Sequence, residues 1–229
     1  LGEPPFGQDN VGKDYCALTM RGTQVSLIIA FLVGIVATIV ATLIGACAGY
    51  FRGWTETVLM RVTDVLIAIP LLAIAAAAAK IAGQAGILYL GIVLGLVTWT
   101  QTARLVRSAV LSLREKEFVE AARSVGTSSA RIIFKHILPN TVGVIIVSVT
   151  LAIAAAVLLE SALSFLGMGV QPPDTSLGRL ITDYRSAMGT RPWLFYWPGL
   201  FIILIALSVN FIGDGLRDAF DPRQNRVRD

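Results

Sequence analysis

The chain reads as an all-α membrane protein, a polytopic helical bundle with five transmembrane helices. Three observations carry that reading. Hydrophobic residues make up 55% of the 229 positions and charged residues only 15%; five runs with few or no charges approach bilayer length; and none of the runs alternates with period two. A soluble domain of this size needs far less apolar sequence. Disorder needs low hydrophobicity and high net charge, and two cysteines, Cys16 and Cys47, are too few for a disulfide framework. Lipid offers backbone groups no water, so a span is a helix or part of a closed barrel, and barrel strands would show the missing alternation.

A helix needs about 20 apolar residues to cross a hydrocarbon core of about 30 Å. Val25 to Tyr50 is the first such run and carries no charge. The second lies between Asp64 and Lys80, extended toward Arg61 and Ala82, and the third is Ile81 to Ala103. The fourth, Ile137 to Leu159, is closed by Glu160. The fifth, Pro192 to Gly213, opens with Trp193, Phe195, Tyr196 and Trp197, the aromatic set expected at a headgroup layer. Gly45 with Gly49, and Gly91 with Gly95, are spaced for close helix packing. The first residue is Leu1 and no signal-peptide pattern opens the chain, so a further helix is expected before it.

Loop charge orients the spans. From Arg104 to Lys135 seven basic residues face three acids, which predicts a cytoplasmic loop. The overall +4 therefore marks a membrane face, and nucleic acid is not an expected partner. The Arg52 turn and the tail with Arg217, Arg223, Arg226 and Arg228 fall on the same side. Residues 1–24, the Lys80 to Gly86 turn and the segment from Phe165 to Arg191 fall outside. The predicted organisation is an external segment, 1–24, followed by a transmembrane domain, 25–229, interrupted by a cytoplasmic loop at 111–140.

In that loop Phe118, Ala121, Ala122 and Val125 recur at helical spacing, leaving Arg114, Lys116, Glu117 and Arg123 for other faces. Gly126 is placed to close the helix in the left-handed conformation. Thr127, Ser128 and Ser129 offer N-caps for a second helix through Ile132, Ile133 and Ile137, and Pro139 sits where that helix must bend into the next span. The result is a helix, a tight turn and a helix. It fits an amphipath lying on headgroups or a docking element for a partner that packs closely on the small Ala side chains.

Glu120-Ala121-Ala122, Gly126 after three residues, and Leu138-Pro139 beyond His136 resemble the EAA loop of permease subunits in ABC importers, with His136 at the usual Ile position. The run His136 to Asn140 is similar to the form in the peptide and nickel branch. Three further segments agree. Glu160 to Gly169 followed by Gln171-Pro172-Pro173 resembles that branch's fifth helix and external loop, with Leu177 where a Trp is usual; Arg61 to Pro70 resembles its third helix; and Gly7 to Asp14 resembles its GTDxxGRD segment, with Lys13 replacing Arg. The resemblance implies a six-helix subunit whose first helix lies before Leu1, paired with a homologous permease subunit as a heterodimer. It also implies two cytoplasmic ATPase subunits, an external substrate-binding protein and a setting in the inner membrane. Coupling to the ATPases would fall to Glu120, Ala121, Ala122, Gly126, His136 and Pro139, with no cofactor, no metal and no catalytic residue on this chain. The cargo implied is a short peptide, with nickel chelates or another small solute on the same scaffold.

Two features invite other chemistry. Gly7, Gly12 and Lys13 satisfy a nucleotide-binding P-loop, but Asp14 stands where Ser or Thr would bind magnesium and no apolar strand precedes, so no nucleotide is expected. Asp64 and Glu160 flank spans, where an acid can serve a proton-coupled carrier or simply cap a helix or pair with a base such as Arg61. His136, the sole histidine, is expected to pack within the loop, and one histidine supports no hydrolase or metal arrangement.

Overall fold

The computed structural model describes residues 5–82 and 85–219, so residues 1–4 of the expected external segment, part of the Lys80 to Gly86 turn and the tail arginines Arg223, Arg226 and Arg228 lie outside the described residues. Regular structure within that range is helical apart from one isolated bridge between Gln8 and Asp14. The helices are α1 (Tyr15–Phe51), α2 (Gly53–Ala68), α3 (Leu71–Ala82), α4 (Ile87–Thr98), α5 (Thr100–Arg114), α6 (Glu117–Ser124), α7 (Ser129–Phe165), α8 (Leu177–Tyr184) and α9 (Trp193–Ala219). Among the described residues α1, α7 and α9 are long and apolar enough to cross a membrane, and α2 with α3 makes a fourth crossing if that bent pair counts as one.

Helix α1 starts ten residues before the first apolar run. Asp14 caps it, its carboxylate accepting the N–H groups of Cys16 at 2.8 Å and Ala17 at 3.4 Å. Thr19 and Thr23 then satisfy their hydroxyls on carbonyls one turn back, 2.8 and 2.9 Å away. Polar sequence therefore continues the helix to 37 residues, about 55 Å at 1.5 Å per residue. Residues 15–24 of the expected external segment are helical. The second run is broken: Ile69 is extended (φ −83°, ψ 132°) before Pro70, and α2 and α3 meet at 90°, because proline disfavours the α conformation of the residue ahead of it. The third run divides at Trp99 into the 12-residue α4 and α5, and α5 runs on to Arg114, well past Ala103.

Helix α1 is the axis of the bundle. Val25, Ile29 and Val33 share a buried cluster with Ala75 and Ala79 of α3, Leu90 and Leu94 of α4, and Ile153 and Val157 of α7. Large apolar side chains on the outer surfaces stay exposed, among them Phe31, Ile35 and Ile39 on α1 and Leu200, Ile203 and Leu207 on α9, the pattern of a protein whose solvent is lipid. Gly45 and Gly49 bring α1 against α5 backbone to backbone. A Cβ at Gly45 would stand 2.6 Å from the Ala103 carbonyl oxygen and 2.8 Å from the Val106 Cβ; one at Gly49 would stand 2.9 Å from the Arg107 carbonyl oxygen.

At the end away from α6, residues 5–14 fold over α8 and α9 as a clasp. Phe6 stacks on Trp197 at 3.9 Å between ring centres, the Tyr15 hydroxyl donates to the Leu194 carbonyl, and Arg191 donates to the Asn10 side chain at 3.0 Å. Asp9 organises the turn: one carboxylate oxygen accepts the N–H groups of Val11 and Lys13, both at 2.8 Å, and the other accepts the Tyr184 hydroxyl at 3.1 Å. Burial alone would raise the Asp9 carboxyl. The hydrogen bonds from Lys13, Val11 and Tyr184, with the Lys13 charge, outweigh it and hold the group below the usual carboxylate range. Burial, then the hydrogen bond and charge of Asp9, push the Tyr184 hydroxyl up to about 12.

Two outcomes are expected. A carboxyl depressed by folding stabilises the clasp above its unfolded value and loses that contribution as pH falls through the folded one. A hydroxyl raised by folding contributes below its unfolded value and fails only as pH rises toward the folded one. Hydrogen-exchange protection of Val11 and Lys13 should therefore hold from about pH 5 to about pH 9 and fall in stronger acid, and Asp9→Asn should remove the acid dependence. Gly45→Val should cost about 1–3 kcal/mol or more by overpacking, read as a lowered Tm of the detergent-solubilised protein, whereas Gly199→Val, whose added Cβ meets nothing within 4 Å, should leave Tm unchanged.

Candidate functional site

The loop between α5 and α7 is built on the end of α1. Glu117 and Glu120 lie in the first turn of α6 and Arg123 in its last, each sign favourable to the helix dipole at its own end. Val119 and Ala122 are buried with Tyr50, Val106, Val110, Ile132, Ile133 and Ile137. Arg123 of α6 places its guanidinium 5.1 Å from the centre of the Tyr50 ring, and Arg114 at the end of α5 lies 6.0 Å from the same ring, so α6 is tied to α1 by burial and by the Arg123 cation, and α5 adds a second cation at that aromatic.

This divides the face expected from the sequence. Of Phe118, Ala121, Ala122 and Val125, only Ala122 turns inward; Phe118 is 41% exposed, Val125 is 80% exposed and Ala121 is exposed. The anchor is Val119, three residues before Ala122 at the spacing of one helical face, and sequence reading passed over it. Arg114 and Arg123, expected on other faces, pack on Tyr50 because their long stems reach back over an aromatic that ends α1. Glu120 is exposed.

Gly126 closes α6 as expected, at φ +78°. Its N–H donates to the Arg123 carbonyl at 2.9 Å and that of Thr127 to the Ala122 carbonyl at 3.1 Å, satisfying the last carbonyls of the helix. A Cβ there would meet nothing within 4 Å, so the position requires glycine for its backbone angle and not for space within this chain. Beyond the turn the expected second helix is not separate from the span that follows it. Residues Ser129–Phe165 form one continuous helix of 37 residues. It passes through a wide turn at Ile132–Ile137, where the Leu138 N–H donates to the Ile133 carbonyl, and a tight turn at Leu138–Thr141. The extra residue in the wide turn absorbs the missing proline donor and the ring. Pro139 is exposed, His136 is half-buried, and the His136 carbonyl accepts the Asn140 side chain at 2.7 Å. Phe134, which carried no sequence signal, is 59% exposed at this end.

The two acids stand apart from the loop surface. Asp64 pairs with Arg104 at 2.5 Å rather than with Arg61, and Glu56 accepts Arg107 Nε at 2.9 Å. Glu160 is 1% exposed and has no basic partner among the described residues. Its carboxylate accepts the hydroxyls of Ser164 at 2.7 Å, Ser176 at 2.6 Å and Ser26 at 3.3 Å, while Ser176 caps α8 and Ser26 accepts the Leu177 N–H at 3.1 Å. One carboxylate thus joins α1, α7 and α8. In the Gly7 to Asp14 segment the N–H groups of Val11 and Lys13 are taken by the Asp9 carboxylate, and those of Cys16 and Ala17 just beyond it by the Asp14 carboxylate.

Comparison with known proteins agrees with the loop spelling. Residues 41–226 match the family described as binding-protein-dependent transport system inner membrane component. The oligopeptide transport system permease protein OppC of Mycobacterium bovis is 42% identical over 224 residues, 97% of this chain and 77% of the relative. OppC of Haemophilus influenzae is 39% identical over 218 residues, 95% and 70% of the two chains. Among solved structures, a chain of the MetNI methionine ABC transporter in an inward-facing conformation superposes with a TM-score of 0.74 at 17% identity, over 89% of this chain and 96% of that one, which shows a shared fold.

The inward and outward residues of α6 should separate by experiment. Val119→Ala should cost about 1–3 kcal/mol, as for a buried branched side chain cut back to Ala, and release α6 to faster hydrogen exchange. Val125→Ser, at an exposed position, should leave the exchange pattern of the isolated subunit unchanged.

Proposed function

The chain belongs to the binding-protein-dependent transport system inner membrane components and is a permease subunit of an ABC importer, and on that premise we propose that α6 and the Gly126 turn couple it to separate ATPase subunits during import of short peptides. The observation that carries this reading is the two-sided α6: Val119 and Ala122 fix it to the bundle, while Phe118, Ala121 and Val125 present an apolar surface with Glu120 exposed beside it. An amphipath resting on headgroups would need no rigid seat on Tyr50. A transmitted displacement does.

In this reading α6, the Gly126 turn and the start of α7 face the cytoplasm, as the basic excess of residues 104–135 indicates, and residues 5–14 with α8 face outward toward a substrate-binding protein. Five crossings follow if α2 with α3 counts as one and α4 with α5 as another, beside α1, α7 and α9. The site is multi-pass in the inner membrane, and a homologous permease supplies the other half of the path. ATP is hydrolysed by two partner subunits. Peptide is the cargo because the named relatives are oligopeptide permeases. Binding and hydrolysis of ATP move the ATPase pair, and α6 passes that motion through Val119 and Tyr50 to α1 and through the Gly126 turn to α7.

Gly126→Asp introduces a side chain at φ +78°, a strain of about 1 kcal/mol or more, and adds bulk to a surface that has none. Glu120→Ala removes a contact worth about 1–3 kcal/mol where a partner desolvates it. Both variants should insert normally yet lose peptide uptake and substrate-stimulated ATP hydrolysis in reconstituted vesicles containing the whole transporter. Normal uptake with normal stimulated hydrolysis in both would show that the loop does not couple.

A further inference from the structure

Glu115 stands between two guanidinium groups and closes fully on neither. Its Oε1 lies 3.4 Å from Arg52 Nη1 and 3.9 Å from Arg114 Nε, the second too far for a hydrogen bond. The two arginines belong to different joints. Arg52 is the turn from α1 into α2, while Arg114 ends α5, and Glu115 with Lys116 forms the break before α6.

Each arginine carries a cost in this arrangement. Arg52 stands at φ +54°, ψ −165°, the one non-glycine residue with positive φ among the described residues, and Gly53 follows at φ +56°. Glycine takes such angles freely, whereas a side chain is strained there. The Arg52 and Glu115 side chains are 55% and 66% exposed, and an ion pair that open to water returns less than the strain costs. Arg114 has a different defect: its Nε and Nη1 are buried and meet no acceptor among the described residues, and an unmet charged donor is costly. Glu115 is the one carboxylate within 4 Å of it among the described residues. Closing on Arg114 would satisfy those nitrogens and leave Arg52.

Helix α2 is placed to respond. Of its sixteen residues it buries one, Thr63, and it has a joint at each end, Arg52–Gly53 and Ile69–Pro70. Its charged ties to α5, Glu56 with Arg107 and Asp64 with Arg104, are each made by a long arginine side chain that can follow a small turn. We propose that Glu115 is a two-position latch between these joints. In one position it holds Arg52 and fixes α2 beside α5; in the other it closes on Arg114, and α2 turns about Arg52–Gly53. The latch rests on the distances and the strained turn; that displacement of α6 throws it rests on the coupling reading above.

The test uses the whole transporter in vesicles, with Cys16 and Cys47 replaced by Ala and spin labels on cysteines at the exposed positions Val58 of α2 and Ser112 of α5. Pulsed electron resonance reads the distance between them. It should take two values, their ratio changed at least about fivefold between ATP and ADP. The two sides of the latch should then fail in opposite ways. Arg114→Gln leaves Glu115 on Arg52 and should hold one narrow distance in both nucleotides, with the response restored in Arg114→Lys; Glu115→Gln frees Arg52 and should broaden the distance in both. A response to ATP that persists in Arg114→Gln and Glu115→Gln would overturn the latch, and so would a single distance in the unmodified transporter. In that last case a loss of stimulated hydrolysis in Gly126→Asp leaves the coupling reading standing, and normal hydrolysis there removes both. Arg52→Gly gives an independent measure, because glycine relieves the strained angle: Tm should hold or rise while peptide uptake falls at least about fivefold. Unchanged uptake would make Arg52 a turn residue only and overturn the latch.

Discussion

The backbone contact between α1 and α5 is the constraint on which the rest of the molecule hangs. Gly45 and Gly49 leave no room for a side chain between the two helices, so the end of α1 is held against Val106 and Val110. That fixes Tyr50, and Tyr50 with those valines is the floor on which Val119, Ala122, Arg114 and Arg123 sit. The same placement turns Arg104 and Arg107 of α5 toward Asp64 and Glu56 of α2. One close approach thus positions both the loop surface and the charged seam, which lie on different sides of α5.

The opposite end is organised by polar groups instead of close packing. Glu160 holds α8 to α1 and α7 through three serine hydroxyls, and Gly178 lets α8 sit directly on α7 near Ser161. The clasp of residues 5–14 closes over the same region through Asp9, Tyr184 and Trp197. Because α7 is continuous from Ser129 to Phe165, it links the Gly126 turn to the Glu160 junction as a single rod about 55 Å long. The wide turn at Ile132–Ile137 and the tight turn at Leu138–Thr141 that follows it are where the hydrogen-bond pattern of that rod departs from the α-helix.

Much of this was legible in the sequence because lipid imposes simple rules. Charge-free runs located the long helices, and Gly45, Gly49 and Gly126 were placed correctly because each answers to a steric requirement that only glycine meets. The errors have common causes. Helix α1 begins ten residues ahead of the apolar run at Val25, because hydrophobicity marks the hydrocarbon and not the helix, and Asp14 extends the helix into polar sequence. The loop's second helix was read apart from the next span, whereas the two are continuous through a wide turn before Pro139, a backbone adjustment that leaves no mark in residue type. The loop's apolar positions were read as one face, and the true division between Val119 with Ala122 and Phe118 with Val125 depends on where Tyr50 ends. Arg61 was named as one example of a base that Asp64 could meet, and the base it does meet is Arg104, 40 positions away, a pairing that only the packing of α2 on α5 creates.

The account centres on the outward face of α6 as the surface that meets an ATPase. A photo-crosslinking residue such as benzoylphenylalanine placed at Val125, and separately at Met188 near the clasp end, tests it in the assembled transporter. The account requires crosslinks from position 125 to the ATPase subunit, altered in yield by ATP, and none from position 188. Crosslinks from position 125 to lipid alone, with no ATPase adduct in any nucleotide state, would contradict it.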